Sequence, residues 1–274
     1  MYLYRSVARF STSSSSHFFA RFMKPIMNAA PKEHIVEQLL KPVGLRSPPN
    51  PNTVYTEGNN LMDLFDGDKT EERIKELEIE FSKSGMYEMS TFKKTNGKMF
   101  ISPASYWKSE KALYFPHLHG KPLSDTKGSE KNLEDQLKGK LSVVRVFSTQ
   151  IGDNISQSYL QNDEVNVDHS DSNEKYQIIN LHLLENKLKT WFFKLSLGKL
   201  RSTTKDHDRY WLCDRAQIPF LIREKLLINN VYTGFLFVVD RNLKIRYMAS
   251  GAASPEEFKA LWRVVDSLSR ETRA

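Results

Sequence analysis

An α/β architecture, a mixed sheet flanked by helices and entered through an extended N-terminal arm, follows from three features of this 274-residue chain. Two short β-branched runs in the C-terminal half are separated by a helix-length segment. A third apolar run passes through a tight turn into an alternating strand, which marks a hairpin. The chain then ends on a strongly amphipathic helix with its own start signals.

Leu141-Ser142-Val143-Val144-Arg145-Val146-Phe147 has the length and β-branching of a buried strand. A helix is expected from Ser148 through Val165, and Tyr176 to Leu183 forms a second strand. Residues 185–229 read as helical, with breaks at Gly198 and Pro219. Gly234-Phe235-Leu236-Phe237-Val238-Val239-Asp240 is the third strand. It turns at Arg241-Asn242 into Leu243-Lys244-Ile245-Arg246-Tyr247-Met248. In the last helix Ser254 is the cap, Pro255 the first helical residue and Glu257 the capping-box acid. Phe258, Leu261, Trp262, Val265 and Leu268 share its apolar face. Right-handed crossovers make the first two strands parallel, and the hairpin adds antiparallel partners at the other edge. This is a thioredoxin-like layout over 126–274, predicted as a four-stranded sheet.

The N-terminal half is less regular. Residues 1–32 hold Arg5, Arg9, Arg21, Lys24 and Lys32 and no acid, leaving only +2 of the overall +7 to the remainder. Residues 1–30, rich in serine with aromatics between the charges, have the composition of a mitochondrial transit peptide and lack the apolar core of a secretory signal. Removal of that segment takes most of the argument for a nucleic-acid surface with it. No run approaches the roughly 18 apolar residues of a membrane span. Residues 31–60 form a proline-rich linker or arm, with Pro42, Pro48, Pro49 and Pro51, preceded by a short amphipathic helix over 33–40. Residues 61–125 are helical and extended. Ile74, Leu77 and Phe81 stripe a polar helix between Thr70 and Lys83, and Ala112-Leu113-Tyr114-Phe115-Pro116 is an extended apolar segment that docks on another surface. Residues 124–140 read as an exposed loop or short helix. His117 and His119 share a strand face at a spacing that can bind metal, but no third ligand is near; they read as ordinary edge residues.

The thiol chemistry of this fold needs a cysteine pair at the helix start after the first strand, where the helix N-terminus stabilises a thiolate. Ile151-Gly152-Asp153-Asn154 has none. The proline that holds substrate backbone before the third strand is also missing from Asn230-Val231-Tyr232-Thr233-Gly234. The single cysteine, Cys213, sits in an aromatic stretch some distance away and reads as a buried thiol. No phosphate-binding loop, nucleophile elbow or zinc-protease motif is present. No catalytic, cofactor or metal residue is assigned. Residues 186–205 carry Lys187, Lys189, Lys194, Lys199, Arg201 and Lys205 without an acid, interleaved with Leu188, Trp191, Phe192, Phe193 and Leu195. Such a segment either packs its stripe on the sheet with its lysines solvated or lies against an anionic membrane or a partner. The two are compatible, because Phe193 and the lysines can face outward while the stripe faces in.

Four stretches together resemble the mitochondrial ATPase complex subunit ten family, fungal assembly factors for the membrane sector of the F-type ATP synthase. They are Ala112 to Pro116 with Gly120, Trp191 to Arg201, Asn229 to Asp240, and Lys244-Ile245-Arg246-Tyr247-Met248-Ala249-Ser250-Gly251. The resemblance runs from about residue 40 to the end. Tyr247 stands where many relatives have Trp. It implies a matrix-side protein, peripheral to the inner membrane, that binds newly made subunit a and helps it join the subunit c ring. Tyr114, Phe115, Trp191, Phe192, Phe193, Lys194 and Lys199 are the expected contact residues. The alternative is a thiol-dependent oxidoreductase or peroxidase acting through Cys213.

Overall fold

The computed structural model describes residues 33–53, 55, 77, 79–80, 82–83, 85–125, 130–161, 175–185, 198, 200–202, 204 and 206–271. The chain divides into one unit of residues 33–57 with 88–274 and another of 1–32 with 58–87. In the second, the described residues near 79–83 are helical, and the Ser82 hydroxyl donates to the Ile79 carbonyl.

In the first unit, eight strands build one sheet. They are β1 (Leu113–Tyr114), β2 (His119–Pro122), β3 (Lys131–Asn132), β4 (Ser142–Phe147), β5 (Gln177–Leu184), β6 (Tyr210–Asp214), β7 (Phe235–Val239) and β8 (Lys244–Ser250). The helices are α1 (Gly85–Thr95), which belongs to this unit from residue 88, α2 (Leu133–Leu137), α3 (Gln150–Gln157), α4 (Phe220–Lys225) and α5 (Pro255–Glu271). The sheet order is β1-β8-β7-β4-β5-β6-β2-β3, with β4, β5 and β6 parallel and every other pair antiparallel. Its centre is the thioredoxin-like arrangement expected from the β4-α3-β5 crossover and the β7–β8 hairpin.

All positions of β4 and β7 are buried, because the sheet is covered on both faces. Val144, Val146, Ile179, Leu181, Phe235 and Phe237 share a core with Val43 of the arm, Phe100, Trp107 and Leu118 of the segment after α1, Leu137 of α2 and Ile228 after α4. Val143, Leu236, Val238 and Tyr247 face Tyr159 and the α5 residues Leu261, Val264, Val265 and Leu268. Each fully buried side chain of this size contributes about 1.5–3 kcal/mol. The capping box is present in both directions: Glu257 N–H donates to Ser254 Oγ, and Ser254 N–H to Glu257 Oε2, each at 3.2 Å.

Five expectations need correction. The sheet has eight strands rather than four. Tyr210–Asp214 is a strand, not part of a helical stretch; its run of Tyr, Trp, Leu and Cys is too short to carry a period, and pairing with β5 and β2 decides its state. Residues 33–40 are not helical. Leu39 donates to Ile101 O and Ile101 to Glu37 O, so the segment satisfies its backbone against residues 99–101 and sends Leu39 inward. Helix α1, over Gly85–Thr95, falls where no clean period was seen, its stripe being weak. The helix expected through Val165 stops at Gln157, where Ser158 is its C-cap and residues 158–160 form a turn. The expected helix of 70–83 lies outside the described residues, apart from the few positions given above. Leu113 and Tyr114 do dock, on β8 opposite Ile245 and Lys244.

Candidate functional site

The start of α3 is where this fold carries thiol chemistry. Thr149 caps the helix: its Oγ1 accepts the Gly152 N–H at 3.2 Å and donates to the Val231 carbonyl at 3.1 Å. Val231 lies in the loop that would hold substrate backbone, and among the described residues no peptide bond is cis. The Val231 N–H is also engaged, donating to Glu88 Oε2 at 2.8 Å. The Asn230 amide donates to Glu88 O, and Thr233 Oγ1 donates to Gly97 O. Both backbone groups of Val231 are therefore satisfied within the chain, so a client strand finds none of them free. Helix and loop are in backbone contact: a Cβ on Gly152 would lie 2.7 Å from Thr233 O. Glu88 is held above the usual carboxylate range by burial, opposed by the Val231 N–H and by Arg215 and Arg223.

Beneath α3 lies a buried polar row. Arg145, 5% exposed, pairs with Asp153 Oδ1 at 2.8 Å and donates to Asn180 Oδ1 at 2.9 Å. His182 packs 5.1 Å from the Phe147 ring and bonds Tyr210 OH through Nδ1 at 3.2 Å. Burial pushes its imidazole down to about 4. Each group has a partner inside the fold, which suits a packing role.

Cys213 is 1% exposed on β6, and burial pushes its thiol strongly up, away from the thiolate needed for nucleophilic or redox work. Gly120 stands opposite it in the ladder because a Cβ there would strike Cys213 Sγ. His117 and His119 do meet, Nε2 to Nε2 at 2.8 Å, but His117 Nδ1 is turned to the buried Glu134 at 2.5 Å. Among the described residues no group of three or more His, Cys, Asp or Glu side chains could hold a metal.

Of the residues expected to contact a client, Phe115 is buried at 3% exposure, edge-on to Phe237 at 5.4 Å. Its ring anchors β1 and has no surface to offer. Tyr114 is half-buried, with Lys244 Nζ 5.3 Å above its ring. Trp191, Phe192, Phe193, Lys194 and Lys199 lie outside the described residues. The end of their segment is placed: Leu200 packs against Leu123, Phe147 and Tyr210, and Arg201 Nε donates to Leu123 O at 3.0 Å.

The family model described as ATP10 protein matches residues 24–268, nearly the whole chain. The chain belongs to the ATP10 protein family. A relative from Candida glabrata, named mitochondrial ATPase complex subunit ATP10, is 62% identical over 99% of both chains. The Saccharomyces cerevisiae protein of that name is 45% identical over 94% of this chain and 96% of its own. A solved DsbF homologue from Corynebacterium diphtheriae is a remote likeness, 16% identical over 60% of this chain and 91% of that one, with a TM-score of 0.38.

In this ATP10 family member, the stretches that carry the resemblance have definite places. Asn229 to Asp240 contains the loop that closes on Thr149 and then β7. Lys244 to Gly251 is β8 and its exit, with Tyr247 fully buried against α5. The Thr149–Val231–Glu88 closure was missed from sequence, since it joins three distant segments. The local signal was Thr149 at a helix start.

Proposed function

We propose that this protein is a non-catalytic assembly factor of the mitochondrial ATP synthase. It works as a peripheral protein on the matrix side of the inner membrane, binds newly made subunit a, and promotes its union with the subunit c ring. The observation that carries this reading is the end-to-end match to relatives named mitochondrial ATPase complex subunits. The closed Thr149–Val231 site and the buried Cys213 support the non-catalytic part. Among the described residues no helix is long and apolar enough to cross a membrane, which fits peripheral attachment.

The contact surface we assign is the segment bearing Trp191, Phe192, Phe193, Lys194 and Lys199, with Tyr114 exposed in part at the β1 edge and Phe115 holding that strand in place. A very apolar client calls for aromatic contacts with a cationic rim. A photo-crosslinking residue in place of Phe193, in isolated mitochondria making labelled translation products, is expected to capture subunit a. The same probe in place of Arg263, exposed on α5, is expected to capture none. Equal labelling from both positions, or no labelled adduct from either, contradicts the assignment.

A further inference from the structure

The far end of the sheet from Thr149 carries a concavity with an unusual charge. The chain entering β4, β5 and β6 and the β7–β8 turn surround a pocket of about 150 Å³, lined by Lys140, Lys175, Arg209 and Arg241 with Tyr176 and Gln177. The lining holds four cations and no carboxylate. Gly139, at φ +77°, gives its N–H to Arg241 O at 3.0 Å and so ties the α2–β4 connection to the β7–β8 turn.

Of the neighbouring acids, Asp240 and Glu271 are engaged elsewhere and Asp206 holds one lining cation. Asp240 Oδ2 and both Glu271 oxygens face Arg246, while Asp240 Oδ1 accepts the Asn242 and Lys244 N–H groups. Asp206 holds Arg209 Nε at 3.1 Å. Lys140, Lys175 and Arg241 have no ion-pair partner among the described residues. Like charges around one hollow repel unless an anion bridges them. The space is below the roughly 300–1,000 Å³ of pockets for drug-sized ligands, and Tyr176 is already packed on Trp262 at 5.5 Å, so no ring is offered for stacking a base. Gln177 is committed to Gln136 O and Ser142 Oγ.

We propose that this pocket binds a single phosphate group, either free in solution or as the headgroup of an anionic phospholipid. The oxygens of a phosphate take the Arg241 guanidinium and the ammonium groups of Lys140 and Lys175 at once, which a carboxylate with two oxygens does not. The assignment stands independently of the client reading, because it is tested on purified full-length protein.

The test uses the triple variant Lys140→Gln/Lys175→Gln/Arg241→Gln and a control, Lys93→Gln/Lys108→Gln/Lys111→Gln, which removes equal charge from other exposed positions. Inorganic phosphate is titrated calorimetrically, and flotation is measured with phosphatidylcholine vesicles with and without phosphatidic acid. The pocket variant is expected to lose on the order of tenfold or more in affinity at low salt, while the control keeps wild-type binding. Loss on phosphatidic acid vesicles identifies the lipid as the source. Loss for inorganic phosphate alone identifies the free anion. Unchanged binding by the pocket variant in both assays, or an equal loss in the control, overturns the proposal.

Discussion

His182 shows what the fold demands of a single side chain. It sits on β5 between Phe147 and Tyr210, and burial holds its pKa at about 4 against about 6.5 unfolded. Between those values the unfolded chain binds a proton that the folded one refuses, so stability falls as pH drops from about 6.5 toward 4 and levels off below. The expected loss is up to about 3 kcal/mol, at about 1.4 kcal/mol per pKa unit. Urea midpoints measured between pH 7 and pH 4.5 should show this slope, and His182→Asn should flatten it whatever its effect at neutral pH. An identical slope in the variant contradicts the role given to His182. Arg246 is a buried cation whose guanidinium meets Asp240, Glu271 and the Trp107 carbonyl.

At the scale of elements, legibility depended on whether neighbours or distant partners decide the local state. Helix α5 was readable to its first turn, because the cap, proline and acid act within four residues. Strands β4, β5, β7 and β8 were readable from β-branched runs. Strand β6 and the extended 33–40 segment were not, since pairing with β5, β2 and residue 101 settles them. The apolar segment around Tyr114 and Phe115 was readable as one that docks, and the surface it meets is β8 of its own sheet. Phe115 is buried because it faces Phe237, a partner over a hundred positions away that no local pattern reveals. The α5 start also does more than cap a helix. Glu257 accepts the Ser102 N–H at 2.9 Å and pairs with Lys98, clasping the segment after α1 to the start of α5. Ser254→Ala should therefore cost about 1 kcal/mol, the loss of a cap. Glu257→Ala should cost about 3–5 kcal/mol, since it leaves Lys98 in a largely buried place without its anion. Equal losses in chemical denaturation would mean that the clasp adds nothing.

The whole molecule has a thioredoxin-like sheet whose usual reaction end is sealed and whose opposite end is cationic. Sealing comes from the chain's own segments: α1 takes the loop's N–H through Glu88, and α3 takes its carbonyl through Thr149. Under the proposed function this sheet is the support from which the contact segment between β5 and β6 departs. The missing cysteine pair was plain from sequence, whereas the reason the site stays closed was not, because it needs residues 88, 149 and 231 together. In the function we propose, the protein acts in ATP synthase assembly without thiol chemistry. The most direct test of this is the amount of assembled ATP synthase in mitochondria whose only copy of this protein carries Cys213→Ser. Assembly at the wild-type level is the predicted result. A collapse of assembly, with the variant protein present at normal abundance and thermal stability, would contradict the account.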